Sequence, residues 1–263
     1  MLQAIVLGIV QGVTEFLPIS SSGHLILIPH IFKWQDPGLA FDAVLHLATG
    51  LAILFFFGKE IFVIGSRDTK RKINFRILWL ALLASLPAAI VGLFFKSEIE
   101  DNLRYVEVVA GSLIMGAVFL FWAEKIVERK KNKVDEVVLV GERRSLIVGF
   151  WQVLSLVPGF SRSGAAITGG LFSGLDRKTA VSFSFLAGLP VIFGAGLWEL
   201  KGIIGGGFIN GSSWLPLLAG FFSAFVAGVF CLKLLLWLAE RANFIFFVIY
   251  RIFLGVVLLI FFA

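Results

Sequence analysis

Charge is what this chain of 263 residues has least of: only 15% of them are Asp, Glu, Lys or Arg, against about 25% in soluble domains. With 59% hydrophobic residues, 29 phenylalanines and a mean hydropathy of +0.96, the composition excludes a water-soluble globular domain and defines an integral membrane protein. Cysteine is nearly missing. The single Cys231 lies in an apolar run, so no intrachain disulfide forms and no redox role is assigned to it. No basic segment precedes the first apolar run and no small-residue cleavage site follows it, so the N-terminus is expected to remain in the fold and not to be removed as a signal peptide. The net charge of +6 is gathered in two loops, which reads as membrane orientation and not as nucleic-acid binding.

What is present is a series of long apolar stretches. Runs of about 18 to 25 residues match helices crossing a ~30 Å hydrocarbon layer, not the short alternating strands of a barrel. Six segments read as full spans, at 39–58, 77–96, 106–123, 180–198, 214–237 and 244–262. Two others, 2–33 and 145–176, are broken midway by Pro, Gly and Ser. Interrupted helices at membrane depth need protein or a wet cavity to satisfy the freed backbone groups, so these two are expected to be re-entrant hairpins facing each other. Setting "GIVQGVTEFLPISSSG" (8–23) on "GFWQVLSLVPGFSRSG" (149–164) at an offset of 141 pairs Gly8 with Gly149, Gln11 with Gln152, Ser20 with Ser161, Ser22 with Ser163 and Gly23 with Gly164. The expected architecture is a single all-α membrane domain over 1–263, built from repeats at about 1–140 and 141–263. The loop at 66–76 and the stretch 125–144 are basic, whereas 96–104 carries an acidic excess. By the positive-inside bias the first two face the cytoplasm. Each half is then one hairpin plus three spans, and the odd number of crossings inverts the second copy.

Charged groups at membrane depth cost about 2.5 to 3.5 kcal/mol each on insertion scales and so point to function. Glu15, His24 and Arg162 are the conspicuous cases. Glu15 lies four residues after Gln11, on one helix face. In "PISSSGH", Ser20, Ser21 or Ser22 can cap a second half-helix and Gly23 permits close backbone approach; such an N-terminus presents free amides to an anion. "PGFSRSG", containing Gly159, Ser161, Arg162 and Ser163, repeats the arrangement and adds a guanidinium suited to phosphate. Two anion-binding tips meeting at one point predict a ligand with two adjacent phosphates. His24 suits a nucleophile, a general acid or a metal ligand, whereas structural roles are expected for His30 and His46.

At "QGVTEFLPISSSGH" and "PGFSRSGAAITGGLFSGLDRKTAVSFSFLAGLP" the sequence resembles the undecaprenyl pyrophosphate phosphatase family of the BacA/UppP type. The resemblance implies an integral membrane hydrolase that removes the terminal phosphate of undecaprenyl pyrophosphate, recycles the lipid carrier for cell-wall polymers and confers bacitracin resistance. It implies stimulation by a divalent cation, Mg²⁺ or Ca²⁺, and a bacterial cytoplasmic membrane location with a site open to the extracytoplasmic side. By position, the first motif's acidic pair falls on Gln11 and Glu15, its serine on Ser21 and its histidine on His24; the second motif falls on Pro158, Gly159, Ser161, Arg162 and Ser163. The usual threonine is replaced by Ala166, with Thr168 two residues on as a possible substitute. The expected mechanism has Arg162, Ser161, Ser163 and hairpin amides holding the diphosphate, Glu15 binding a cation or orienting the nucleophile, and either Ser21, with His24 as base, or His24 itself attacking. Type-2 phosphatidic acid phosphatases share "SGH" and "SR" but place a second histidine where this chain has Thr168. A lipid-carrier flippase is the non-enzymatic alternative, and the Gly- and Phe-rich spans leave room for a homodimer.

Overall fold

The computed structural model describes residues 1–35, 37–63, 72–73, 75–95, 98–99, 102–103, 105–129, 134, 136–205 and 214–261. Among these, the chain is almost wholly helical. The N-terminal segment forms α1 (Leu2–Thr14) and α2 (Ser21–Phe32), followed by α3 (Leu39–Phe56) and the single turn α4 (Gly58–Ile61). A two-residue antiparallel ribbon, Phe62–Val63 paired with Lys72–Ile73, lies between α4 and the next helix, and the all-helical class expected from the sequence holds. Then come α5 (Phe75–Phe94), α6 (Val106–Arg129), a 3₁₀ turn (Val137–Leu139), α7 (Gly141–Leu154), α8 (Arg162–Ser173), α9 (Arg177–Gly205), α10 (Trp214–Arg241) and α11 (Ile245–Phe261).

Among the described residues, four helices are long and apolar enough to cross a membrane: Phe75–Phe94, Val106–Arg129, Arg177–Trp198 and Trp214–Arg241. Helices α3 and α11, expected as full spans, are apolar but shorter, at 18 and 17 residues. Many large apolar side chains point outward, among them Phe55, Phe94, Phe230 and Phe253, as befits a surface solvated by lipid. The two interrupted segments do break, at 15–20 and 155–161, where Pro18 and the Pro158–Gly159 pair stop the first helix of each. Most of the loops at 66–76 and 96–104, which carried the orientation argument, fall outside the described residues.

Packing interlocks helices that lie far apart in the chain. Helix α1 lies along α10 and α7 lies along α5, while α6 packs on α11 and α3 on α9. Small residues make the first two approaches possible: a Cβ on Gly8 would collide with Gly220 and Ser223, and one on Gly149 with the Ala84 carbonyl and Pro87. Hydrogen bonds tie the same pairs, from Gln152 Nε2 to the Ala84 carbonyl (2.9 Å) and from Cys231 Sγ to the Val13 carbonyl (3.2 Å). The result brings the two breaks together at the centre, backed by Phe16 and Phe185 in an edge-to-face pair 5.2 Å apart.

Candidate active site

The two breaks share a backbone device. Ser20 and Ser161, register-equivalent at the offset of 141, cap α2 and α8 with φ of 74° and 70°, a region that non-glycine residues occupy only when the surroundings over-determine it. Each contacts the serine two residues on through its hydroxyl, Ser20 with Ser22 and Ser161 with Ser163, both at 3.2 Å. Ser161 Oγ also accepts from the Gly164 amide at 3.1 Å, a helix N-cap. Ser20, Ser21 and Ser22 at the start of α2 and Ser161 and Arg162 at the start of α8 line one common cavity.

Glu15 is the hub. It is 5% exposed, and Arg162 Nη2, 147 residues away in sequence, donates to its Oε1 at 2.7 Å. Ser21 Oγ donates to Oε2 at 2.6 Å, and Gln11 Nε2, one turn earlier on α1, donates to the same oxygen at 3.2 Å. The face shared by Gln11 and Glu15 is thus as the four-residue spacing predicts. A cavity of about 380 Å³ opens over this hub, lined by Glu15, Ser20, Ser21, Ser22, Ser155, Ser161 and Arg162, by Asp42, Ala43 and His46 of α3, and on its apolar side by Leu156 with Val191, Ile192, Ala195 and Gly196 of α9. Arg162 Nη1 is buried without a hydrogen-bond partner among the described residues, and it lies so close to α9 that only a glycine at 188 leaves room for it.

Other residues expected at the site lie around this cavity without lining it. His24 turns away from Ser21. Its Nδ1 lies 2.7 Å from the Ser20 carbonyl, which can only accept, so Nδ1 carries the hydrogen and Nε2 accepts from Tyr250 Oη at 2.6 Å. With both nitrogens engaged, the pairing of His24 with Ser21 as its base is corrected to a pairing of Ser21 with Glu15. Gly23 faces the opposite side of α2, toward a second apolar groove lined also by Ile26, Leu27, His30, Val106, Val109 and Leu258. Thr168 and Ala166 are buried in helix packing and are absent from the cavity wall, so Thr168 does not replace the missing family threonine. Ser163 donates to the Leu17 carbonyl at 3.1 Å, joining the two tips. Gly159 (φ +92°) presses against Val109 and Ser112 of α6, where Ser112 Oγ donates to the Pro158 carbonyl.

Sequence reasoning passed over two participants. His46, expected to be structural, puts Nε2 3.6 Å from Glu15 Oε2 and lines the cavity with Asp42. Arg251 of α11 is fully buried and donates to four backbone carbonyls: Nε to Leu113 (3.2 Å), Nη1 to Pro18 (3.4 Å), and Nη2 to Ser112 (3.5 Å) and Phe160 (2.7 Å). One guanidinium therefore holds both hairpin turns. Its signal was legible, since a lone arginine within an apolar span of 244–262 is itself a functional hint.

The residues do not fit a resident metal ion. No group of three or more His, Cys, Asp or Glu side chains able to hold one occurs among the described residues. Glu15 is already taken up by Arg162, Ser21 and Gln11. Gln11 Oε1, buried and unpartnered among the described residues, adds one oxygen where Mg²⁺ or Ca²⁺ takes about six or more.

Fold and site together define a helical integral membrane protein with a half-buried pocket in which a carboxylate, an arginine and a cluster of hydroxyls converge. Residues 4–257 match the family described as bacitracin resistance protein BacA, and the chain belongs to that family. It is 41% identical over 256 residues to an undecaprenyl-diphosphatase of Moorella thermoacetica, covering 97% of this chain and 95% of the relative. An undecaprenyl-diphosphatase 2 of Stutzerimonas stutzeri is 40% identical, covering 100% and 98% of the two chains, and an undecaprenyl-diphosphatase of Chloroherpeton thalassium is 38% identical, covering 98% and 95%.

Proposed function

We infer that this chain is a membrane phosphatase that hydrolyses undecaprenyl pyrophosphate to undecaprenyl phosphate and inorganic phosphate, recycling the lipid carrier for cell-wall synthesis. Bacitracin resistance is the trait that names its family. The observation that carries the reading is the meeting of Ser21, Glu15 and Arg162 on one cavity floor. Ser21 Oγ, already donating to Glu15, attacks the terminal phosphorus as its proton passes to the carboxylate. The bridging P–O bond breaks and its electron pair leaves on the lipid monophosphate. Arg162, with one donor unpartnered, turns from Glu15 onto the phosphate oxygens, joined by Ser20, Ser22, Ser161 and the amides at the starts of α2 and α8. Water then cleaves the phosphoserine. His24, bonded to the Ser20 carbonyl and Tyr250, holds the α2 tip in place.

The divalent cation in this reading enters with the diphosphate, as part of the substrate. The prenyl chain leaves the cavity along the apolar wall of α9. Six crossings with two re-entrant hairpins, and two inverted copies at about 1–140 and 141–263, are supported by the matched breaks, by the equivalent conformations of Ser20 and Ser161 and by the reciprocal packing of α1 on α10 and α7 on α5. The positive-inside bias and the family resemblance support a bacterial cytoplasmic membrane location with the cavity open to the extracytoplasmic side. The lipid-exposed helix faces leave room for a homodimer.

The test is phosphate release from undecaprenyl pyrophosphate in detergent, with and without EDTA, for the unmodified protein and for Ser21→Ala, Glu15→Ala and Arg162→Ala. Turnover that needs the cation and falls by at least about 10³-fold in each folded variant is expected. Trapped ³²P on Ser21 is expected also; label on His24 overturns the assignment of the nucleophile.

A further inference from the structure

We propose that His46 is a proton acceptor behind Glu15, a positioning residue that makes the carboxylate a base again after each transfer. The inference rests on the phosphatase reading above. Its ground is the direction of the imidazole. Nδ1 lies 2.8 Å from the carbonyl of Asp42, one turn earlier on α3; a carbonyl accepts only, so Nδ1 carries the hydrogen and the lone pair of the neutral ring is on Nε2. That lone pair faces Glu15 Oε2 at 3.6 Å, the same oxygen to which Ser21 Oγ donates at 2.6 Å. Two lone pairs facing each other repel, and one proton between them turns the contact into a charge-assisted hydrogen bond. The proton Glu15 takes from Ser21 is that proton. Such contacts are commonly long before substrate binds and tighten with it.

The balance is complete. As Oγ–P forms and the bridging P–O bond breaks, the Ser21 proton moves to Glu15 and on to His46 Nε2, leaving a carboxylate beside an imidazolium. When water attacks the phosphoserine, Ser21 Oγ leaves with the electron pair of its P–O bond and recovers that proton through Glu15. The hydrogens of the attacking water depart with the phosphate and to solvent. His46 is 35% exposed and lines the cavity, so it also exchanges with water. Among the described residues, the ionisable and charged groups around it are Glu15 of the first hairpin, Arg162 of the second and Asp42 of its own helix, and the cavity wall of α9 contributes Val191, Ile192, Ala195 and Gly196. Helix α10 meets α3 at this level through Gly220 against Phe41 and Leu45, with Lys233 13 residues further along.

The experiment measures kcat and KM for undecaprenyl pyrophosphate in detergent across pH for the unmodified protein, His46→Gln and His46→Ala, with imidazole added. His46→Gln fills the space and keeps a polar contact to Glu15 but takes up no proton. The expected result is a kcat lowered by about 10- to 100-fold with KM within about twofold, loss of one limb of the pH profile, and recovery of His46→Ala by imidazole. A kcat of His46→Gln equal to that of the unmodified protein, or His46→Ala folded but deaf to imidazole, overturns the proposal. The unmodified enzyme turning over in the same assay separates that failure from a failure of the phosphatase reading itself.

Discussion

Arg162 depends on an absence. The side chain reaches Glu15 only because position 188 on α9 is a glycine, whose Cβ, if added, would overlap Arg162 Nη1 and Cζ. Gly188→Ala is therefore expected to push the guanidinium off the carboxylate and to lower kcat/KM by about 100-fold, since misplacing a group by about 1 Å costs that much. Gly194→Ala on the same helix meets nothing within 4 Å and is expected to leave kcat/KM unchanged, so steady-state kinetics on the pair separates steric displacement from loss of a helix glycine. At this scale the sequence was a partial guide. Glu15, Ser21 and Arg162 stood out because polar groups clustered in oil have few reasons to exist. His46 and Tyr250 did not, because each lies in a mostly apolar helix outside the two Ser- and Gly-rich breaks. Their meaning comes from partners 31 and 226 residues away, which no local pattern encodes.

At the scale of an element, the two half-helix starts carry strain as well as capping. Ser20 and Ser161 hold φ near +70°, which costs about 1 to 3 kcal/mol for a residue with a Cβ. Ser20→Gly relieves that cost and adds about 0.5 to 1 kcal/mol of chain entropy on folding. A higher melting temperature in detergent with slower phosphate release is the expected outcome, because the hydroxyl facing the cavity is lost. Ser161→Gly is expected to gain less, since it also loses the cap on the Gly164 amide. The breaks themselves were legible from Pro, Gly and Ser, and so were the helices following them. The strained conformation was not, because serine is not a residue type that announces a positive φ; only the tertiary contacts of both tips impose it.

Across the whole molecule, polar chemistry is concentrated at two levels. Away from the cavity, the buried Glu124 of α6 accepts from Arg177 at the start of α9 at 2.6 to 3.1 Å and from the Phe244 amide before α11 at 3.3 Å. It lies eight residues, roughly 12 Å along the helix, beyond Gly116 where α6 meets Arg251. Glu124→Ala leaves Arg177 without its main partner and is expected to cost about 2 to 3 kcal/mol of stability, read as a lower melting temperature, with kcat and KM unchanged below the melting range. Composition made the membrane environment plain, and the paired motifs marked where both interrupted segments break. The length of α3 was less readable, because Phe57 continues the apolar run past the end of the helix at Phe56.

Arg251 has a further meaning in the life of the molecule. Its guanidinium holds the carbonyls of Pro18 and Phe160, yet it belongs to α11, which follows both hairpin segments in the order of synthesis. Both turns leave the ribosome before their common clasp does. Until that helix inserts, the two tips lack the contact that fixes them to each other, so the cavity matures late, and a chain halted before α11 carries every residue of the cavity wall without the latch that closes the hairpins around it.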